Sequence, residues 1–311
     1  MVGSGQSIGA VYAGARDGAT SVTLTQRFNM KQKINTLIPD IHKLLTDGKE
    51  GFSERNIQEF FQALRVDIEE FLSPDTRDNK GRLRMSAIGK HDRQLWYEFN
   101  DKKKKSISAQ LKLRFFFGNL VESFLLFLVQ EAGHKVTDRQ KEVVIDSIKG
   151  HIDAKIDGEV VDVKSASDFG FKKFKENTIF EDDPFGYIGQ LSGYVQAEGG
   201  KSGYFLAYNK STAELCLVEI DELTMIDAKK RIADLKKIMN QSDIPERCYS
   251  DMPDGKSGNR VINKNCTFCD YRYDCWSDAN DGKGLRIFKY KYTPKYLSHV
   301  VREPLVEELL L

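Results

Sequence analysis

No cysteine occurs before Cys216; all five lie between Cys216 and Cys275. A disulfide framework across the chain is therefore excluded. Charge of one sign is also lacking: the formal net charge is +1. Nucleic-acid binding must then rest on a local patch rather than a bulk field. Lys102–Lys105 is one candidate, and reads equally as a solvated loop. Long hydrophobic runs are missing. The most apolar stretch, Phe124–Val129, is flanked by Glu122 and Gln130, so no membrane span is expected. The Gly-, Ala- and Ser-rich start, MVGSGQSIGAVYAGARDGATS, has no apolar core of a secretory signal. It reads as a mobile tail over 1–24, and a cytoplasmic location is expected. Nucleotide-binding loops are absent too. Asp254-Gly255-Lys256-Ser257 looks like one, but that loop needs a Gly where Ser250 stands.

What is present can bury a full core. A 311-residue chain with 40% hydrophobic residues suits one elaborated domain or two small ones. Residues 25–84 read as an N-terminal helical region. SERNIQEFFQALRVDIEEFL puts Ile57, Phe60, Phe61, Leu64, Val66, Ile68 and Phe71 near one broad face, with Ser53 as N-cap and Ser73-Pro74 as stop. No chemistry is recognised there. Residues 75–85 look like a linker. The spacing predicts a long helix over 107–132, closed by Gly133 and apolar enough to be buried. Glu122 lies inside it, either facing solvent at a helix edge or paired, since a buried lone carboxylate is costly.

GHIDAKIDGEVVDVKS, residues 150–165, predicts a β-hairpin turning at Asp157-Gly158. That turn sets Asp153 opposite Asp162 and His151 opposite Lys164. One face then carries His151, Asp153, Lys155, Asp162 and Lys164; the other carries Ile152, Ala154, Ile156, Val161 and Val163. Opposed like charges repel, and a divalent cation between the two aspartates would turn repulsion into chelation. Carboxylate oxygens suit Mg²⁺ or Mn²⁺. A solvent-facing hairpin with ordinary surface charges is the other reading. The expected order runs helix 107–132, strand near 135–146, strands 150–156 and 159–165, helix 184–198 and strand 203–209. Asp183 is the expected N-cap of the last helix, which puts Gln190 and Tyr194 on one face.

Cys216 sits in a predicted strand, LCLVEI, as a buried free thiol. Cys248, Cys266, Cys269 and Cys275 cluster within 28 residues. Four thiolates suit zinc or an iron–sulfur cluster. The end, REPLVEELLL, reads as a short closing helix or a docking segment.

Gly150-x-x-Asp153, then Asp162-x-Lys164, then Gln190-x-x-x-Tyr194 resembles the PD-(D/E)XK nuclease superfamily, in its RecB-like branch. That branch includes CRISPR-associated adaptation nucleases and phage exonucleases, and the match covers roughly residues 85–280. The resemblance implies a restriction-endonuclease-like α/β fold, a mixed sheet flanked by helices in αβββαβ order. It implies domains of 85–245 for the nuclease core, 246–280 for the four-Cys segment and 281–311 for a C-terminal extension. Glu122, in Gly118-Asn-Leu-Val-Glu122, would join Asp153, Asp162 and the Val163 carbonyl as metal ligands. Lys164 would act on the attacking water. Gln190, Tyr194 and Arg93 would hold the substrate, with Tyr187 a weaker addition. The spacing C-x2-C-x5-C is similar to the [4Fe–4S] clamp of some members, but the upstream Cys is absent from His91-Asp92-Arg93-Gln94-Leu95-Trp96-Tyr97. Cys248 or His91 would complete that site, with zinc as the other occupant. The implied activity is a Mg- or Mn-dependent DNA exonuclease in recombination, repair or phage DNA processing. A recombination or single-strand-binding protein is the implied partner besides DNA. A site- or structure-specific endonuclease and a catalytically silent DNA-binding protein are the alternatives.

Overall fold

The structure is a computed structural model, and it describes residues 33–74, 82–100 and 108–310. The tail expected over 1–24, the basic run Lys102–Lys105 and most of the linker at 75–85 lie outside the described residues. Helices α1 (Leu37–Asp47) and α2 (Glu54–Leu72) come first. Ser53 caps α2 as expected, its hydroxyl accepting the Asn56 N–H. The apolar face of α2 is narrower than its pattern suggests. Ile57 and Phe60 pack on the core, whereas Phe61, Val66 and Ile68 are exposed.

Helix α3 (Asp92–Asn100) precedes α4 (Ala109–Glu131). The full burial expected of α4 does not occur. Leu125–Val129 are buried in the core beneath the sheet, while Leu111, Leu113, Phe115 and Phe117 are exposed. By length and composition α4 could cross a membrane, contrary to the expectation that no segment could. Its second half instead forms core with the sheet.

Strands β1 (Val136–Thr137), β2 (Glu142–Ile145), β3 (Ile148–His151), β4 (Ala154–Ile156) and β5 (Glu159–Ala166) follow. Asp157 and Gly158 have φ of +54° and +100°. Two positive φ values make the turn whose twist matches a hairpin. The register is the expected one, Ala154 opposite Val161 and Ile156 opposite Glu159. The strands expected over 135–146 and 150–156 are each broken. A second hairpin turns at Asp146-Ser147, with φ of +47° and +68°, and pairs β2 with β3 as a separate two-stranded sheet. His151 therefore lies opposite Glu142, not Lys164. Ile152 crosses to the other apolar layer, away from Ala154 and Ile156.

Helices α5 (Asp168–Lys175) and α6 (Tyr187–Ala197) lead to β6 (Gly203–Asn209), β7 (Leu215–Ile220) and α7 (Ala228–Asn240). The main sheet runs β1-β4-β5-β6-β7, parallel only between β5 and β6. A parallel neighbour needs a crossover, which α5 and α6 supply. One apolar layer joins α1, α2 and α4 to the sheet; the other joins α3, α5, α6 and α7. The fold is thus mixed α/β, with a mixed sheet between helical layers. Helix α6 starts three residues later than expected. Gly186 is its N-cap at φ +76°, and the Asp183 carboxylate accepts the N–H groups of Gly186 (2.9 Å) and Ile188 (2.8 Å). Gly89 packs there so closely that a Cβ on it would lie 2.2 Å from the Gly186 carbonyl oxygen. That contact fixes where α6, and hence Gln190, can sit.

The segments expected over 246–280 and 281–311 share one sheet. Strands β8 (Met252–Pro253), β9 (Arg260–Val261), β10 (Arg286–Lys289), β11 (Pro294–His299) and β12 (Glu308–Leu309) form one sheet ordered β12-β10-β11-β9-β8. Short helices α8 (Arg272–Cys275) and α9 (Ala279–Gly282) lie between β9 and β10. The expected closing helix is instead a strand, because Glu308 and Leu309 pair with Phe288 and Ile287. Asp254–Ser257 is the turn joining β8 to β9, where the Asp254 N–H donates to the Asn259 carbonyl.

Candidate functional site

Alternation along β5 sends Val161 and Val163 into the α4 layer and turns Asp162 and Lys164 toward α6. Asp162 is 0% exposed. The Lys164 Nζ lies 2.5 Å from Asp162 Oδ2, 3.3 Å from Gln190 Oε1 and 4.7 Å from the centre of the Tyr187 ring. Gln190 Nε2 in turn donates to the Tyr194 hydroxyl at 3.1 Å. Two segments separated in sequence thus meet in one chain of contacts. Tyr194 is only 3% exposed. It supports Gln190 from inside the core, and Gln190 holds Lys164.

Asp153 stands one residue before the last ladder pair of β4. Its carbonyl accepts the Gln140 N–H. Its carboxylate accepts the Val163 N–H at 2.7 Å, continuing the hydrogen bonding where β4 has ended. Glu122 reaches the same place from α4, held by Gln140 Nε2 at 2.8 Å. Three carboxylates without enough cations repel each other. Burial, with Asp162 and Glu122 nearby, holds the Asp153 carboxyl well above its usual range. Burial also raises Asp162, against the pull of Lys164. Glu122 is pushed up to about 7, chiefly by burial, with Asp162 and Asp67 adding to it. Lys164 is held above the usual lysine range despite its own burial, by Asp162 and Asp153.

Asp67 of α2 is the residue that the sequence reading missed. Its carboxylate accepts from Asn119 (3.3 Å) and Ser123 (3.2 Å) on α4. The N-terminal helices therefore do reach the site. The available signal was an acid between Val66 and Ile68, the same anomaly that marked Glu122. An open cleft of about 730 Å³ ends on these groups. Asp67, Glu122, Asp153, Val163, Lys164 and Tyr187 are among its lining.

Both Asp162 oxygens are buried; Oδ2 meets only the Lys164 ammonium and Oδ1 has no hydrogen-bond partner among the described residues. A buried carboxylate with one oxygen left unpaired, beside two more acids, is the chemistry a hard divalent cation satisfies. Among the described residues, however, no group of three or more His, Cys, Asp or Glu side chains is arranged to hold a metal ion. Lys164 supplies the positive charge nearest Asp162.

Cys248, Cys266, Cys269 and Cys275 line one enclosed cavity of about 50 Å³, together with His91 and Trp276. Burial and the other three thiols push Cys266 up to about 12. Arg93 belongs here rather than at the carboxylates. Its Nε donates to Cys275 Sγ at 3.1 Å and its Nη1 to the Pro245 carbonyl at 2.6 Å. His91 shares a 2.7 Å hydrogen bond with the Tyr249 hydroxyl. Cys216 stands apart in β7, pushed up to about 11 by burial.

No family model matches this chain. No curated protein matches it either. Among solved structures it is similar to an alkaline exonuclease from Laribacter hongkongensis, at TM-score 0.34 and 14% identity over 51% of this chain and 84% of that one. A structure of that exonuclease in complex with dAMP gives 0.30 and 15%, over 50% and 86%. A phage-related exonuclease from Haemophilus somnus gives 0.35 and 16%, over 64% and 91%. Likeness this loose carries no weight on activity, so the site stands on its own geometry.

That geometry sets a pH dependence. The folded protein holds Glu122 at about 7 against an ordinary 4.5, so it binds an extra proton between those values. The stability this group contributes is full at acid pH and falls as pH rises through that window, by roughly 3 kcal/mol. Urea unfolding of the chelator-treated protein should show that fall, and Glu122→Gln should lose it. Parallel curves for the two proteins would contradict the assignment.

Proposed function

We propose that this chain is a divalent-metal-dependent nuclease that removes nucleotides from DNA ends. The observation that carries the reading is the buried Asp162 beside Lys164, with Asp153 and Glu122 closing on the same cleft. The motif order around these residues supports it. Glu122, Asp153, Asp162 and the Val163 carbonyl would hold Mg²⁺ or Mn²⁺. The chemistry such an ion supplies when bound is Lewis-acid activation of water and neutralisation of charge on the phosphate. Lys164, held above the usual lysine range, stays an ammonium at neutral pH. It therefore donates hydrogen bonds to the attacking water or to a phosphoryl oxygen, and is not the base. Gln190 and Tyr187 fix its direction, and Tyr194 fixes Gln190. The cysteine cluster is a structural site for a [4Fe–4S] cluster or zinc, and Arg93 serves that cluster. DNA is the substrate, and a recombination or single-strand-binding protein is the fitting partner.

The test is cleavage of end-labelled linear and closed circular DNA with Mg²⁺ or Mn²⁺. Linear DNA should shorten from its ends and circles should persist. Asp162→Ala and Lys164→Ala should each lose about a hundredfold or more in rate. Undiminished activity in both variants would remove the site assignment, and cut circles would make the protein an endonuclease. Failure to cut any DNA that the protein still binds would leave a silent DNA-binding protein.

A further inference from the structure

The cleft wall opposite β5 has features that phosphodiester hydrolysis does not use. Phe115 lines it and is 54% exposed. The neighbouring rings are spoken for: Phe116 packs against Phe71 at 4.8 Å and against Phe117 at 6.2 Å. Phe115 has no ring partner among the described residues. An exposed aromatic ring facing a polar cleft gains nothing by folding there, so its surface is available to a ligand with a flat face.

Helical spacing ties this ring to the carboxylates. Phe115, Gly118, Asn119 and Glu122 all line the cleft from α4. They fall at i, i+3, i+4 and i+7, which is one face of the helix. Seven residues at 1.5 Å each put Phe115 about 10 Å along the axis from Glu122.

Five cationic side chains line the same cleft, and Lys112 and Lys164 are two of them. Arg84, Arg114 and Lys210 are exposed lining residues, and their side chains have no ion pair or hydrogen bond among the described residues. Lys112 shows the contrast, since its Nζ is committed to the carbonyls of Phe71 (3.4 Å) and Ser73 (3.2 Å). A chain with net charge +1 thus places three cations around one cleft that are unpaired among the described residues.

We propose that this wall binds the single-stranded part of a DNA substrate, a base stacking on Phe115 while Arg84, Arg114 and Lys210 take phosphates. The inference takes the cleft to be the nucleic-acid site of the nuclease reading and adds the strand state of the substrate. A base presents its flat face only when it is out of the duplex, so a lone exposed ring beside unpaired cations selects single strands.

Equilibrium anisotropy in chelator tests it without cleavage, using a labelled oligothymidine and a duplex of equal length. The single strand should bind more tightly. Phe115→Ala should weaken single-strand binding roughly tenfold and leave duplex binding unchanged, and Phe115→Trp should keep it. Arg114→Ala should weaken single-strand binding and lower its salt slope by about 0.7. Equal loss on both substrates, or no loss with Phe115→Ala, would overturn the proposal. Far-UV circular dichroism of each variant separates misfolding from lost contact, and the conservative Trp variant gives a second reading. A protein that binds in this pattern yet never hydrolyses DNA fails the nuclease reading and keeps this one. A protein that hydrolyses DNA with Phe115→Ala unchanged in binding does the reverse.

Discussion

Asp153→Asn should lower the rate of DNA hydrolysis by about a thousandfold while leaving the metal-free protein as stable as before or more so. The two effects separate because the carboxylate has two roles. Structurally it accepts the Val163 N–H at 2.7 Å, and an amide oxygen can accept that bond equally well. Electrostatically it is one of three crowded acids, held well above its usual range by burial and by Asp162 and Glu122. A neutral isostere removes that repulsion, which favours folding by about 1–3 kcal/mol. The melting temperature in chelator should rise by a few degrees, about 2–4 °C per kcal/mol. In saturating Mg²⁺ the order should reverse, since only the wild type gains stability from binding the ion. A drop in metal-free stability would mean that Asp153 is a structural acceptor whose charge is compensated in the fold. Unchanged cleavage would mean that the acid is not part of the reaction.

The hairpin register, Ala154 opposite Val161, was legible because one dipeptide determined it; the ladder itself stops short of Asp153 and Asp162. Asp157-Gly158 supplies two positive φ values, and everything downstream in the hairpin follows from a period of two. The break upstream was not legible. Asp146-Ser147 makes an equivalent turn without the glycine that announces one, so two short strands read as parts of longer ones. His151 was displaced by that error and faces Glu142. Helix α4 misled in another way. Its composition is apolar throughout, but composition does not say where the core stops, and the half that leaves the core exposes Phe115 and Phe117. Tyr194 and Gln190 were placed on one face correctly. That the inner residue would support the outer one follows from burial, which spacing alone does not reveal. The C-terminal sheet uses strands of two residues at β8, β9 and β12. A run that short shows no periodicity, and its partners lie far along the chain.

Replacing Cys266 or Cys269 with Ser should release tightly bound iron or zinc and lower the melting temperature by more than about 10 °C, whereas Cys216→Ser should change neither. The apolar cluster beside the four thiols is small: its buried members are Ile262, Trp276, Ala279 and Leu285. A core of that size rarely holds a fold by itself and is ordinarily joined to a crosslink. The proposed cation among the four thiols, around a cavity of about 50 Å³, would answer that need. Without one, burial and mutual repulsion keep Cys266 protonated, up to about 12. With one, all four become thiolates, and a structural tetrathiolate site contributes roughly 10 kcal/mol or more to folding. Arg93 already points its Nε at Cys275 Sγ from α3 at 3.1 Å, and Arg247 donates to the Cys275 carbonyl at 3.0 Å. The cluster therefore ties the second sheet to the helix next to the Gly89–Gly186 contact, which positions α6. Its loss should reach the carboxylate cleft as weaker DNA cleavage, with KM and kcat both affected because Gln190 and Tyr187 move with α6. Elemental analysis of the purified protein and thermal unfolding of the Ser variants decide the matter. Metal content and melting temperature that match the wild type would show four ordinary buried thiols, held by packing alone.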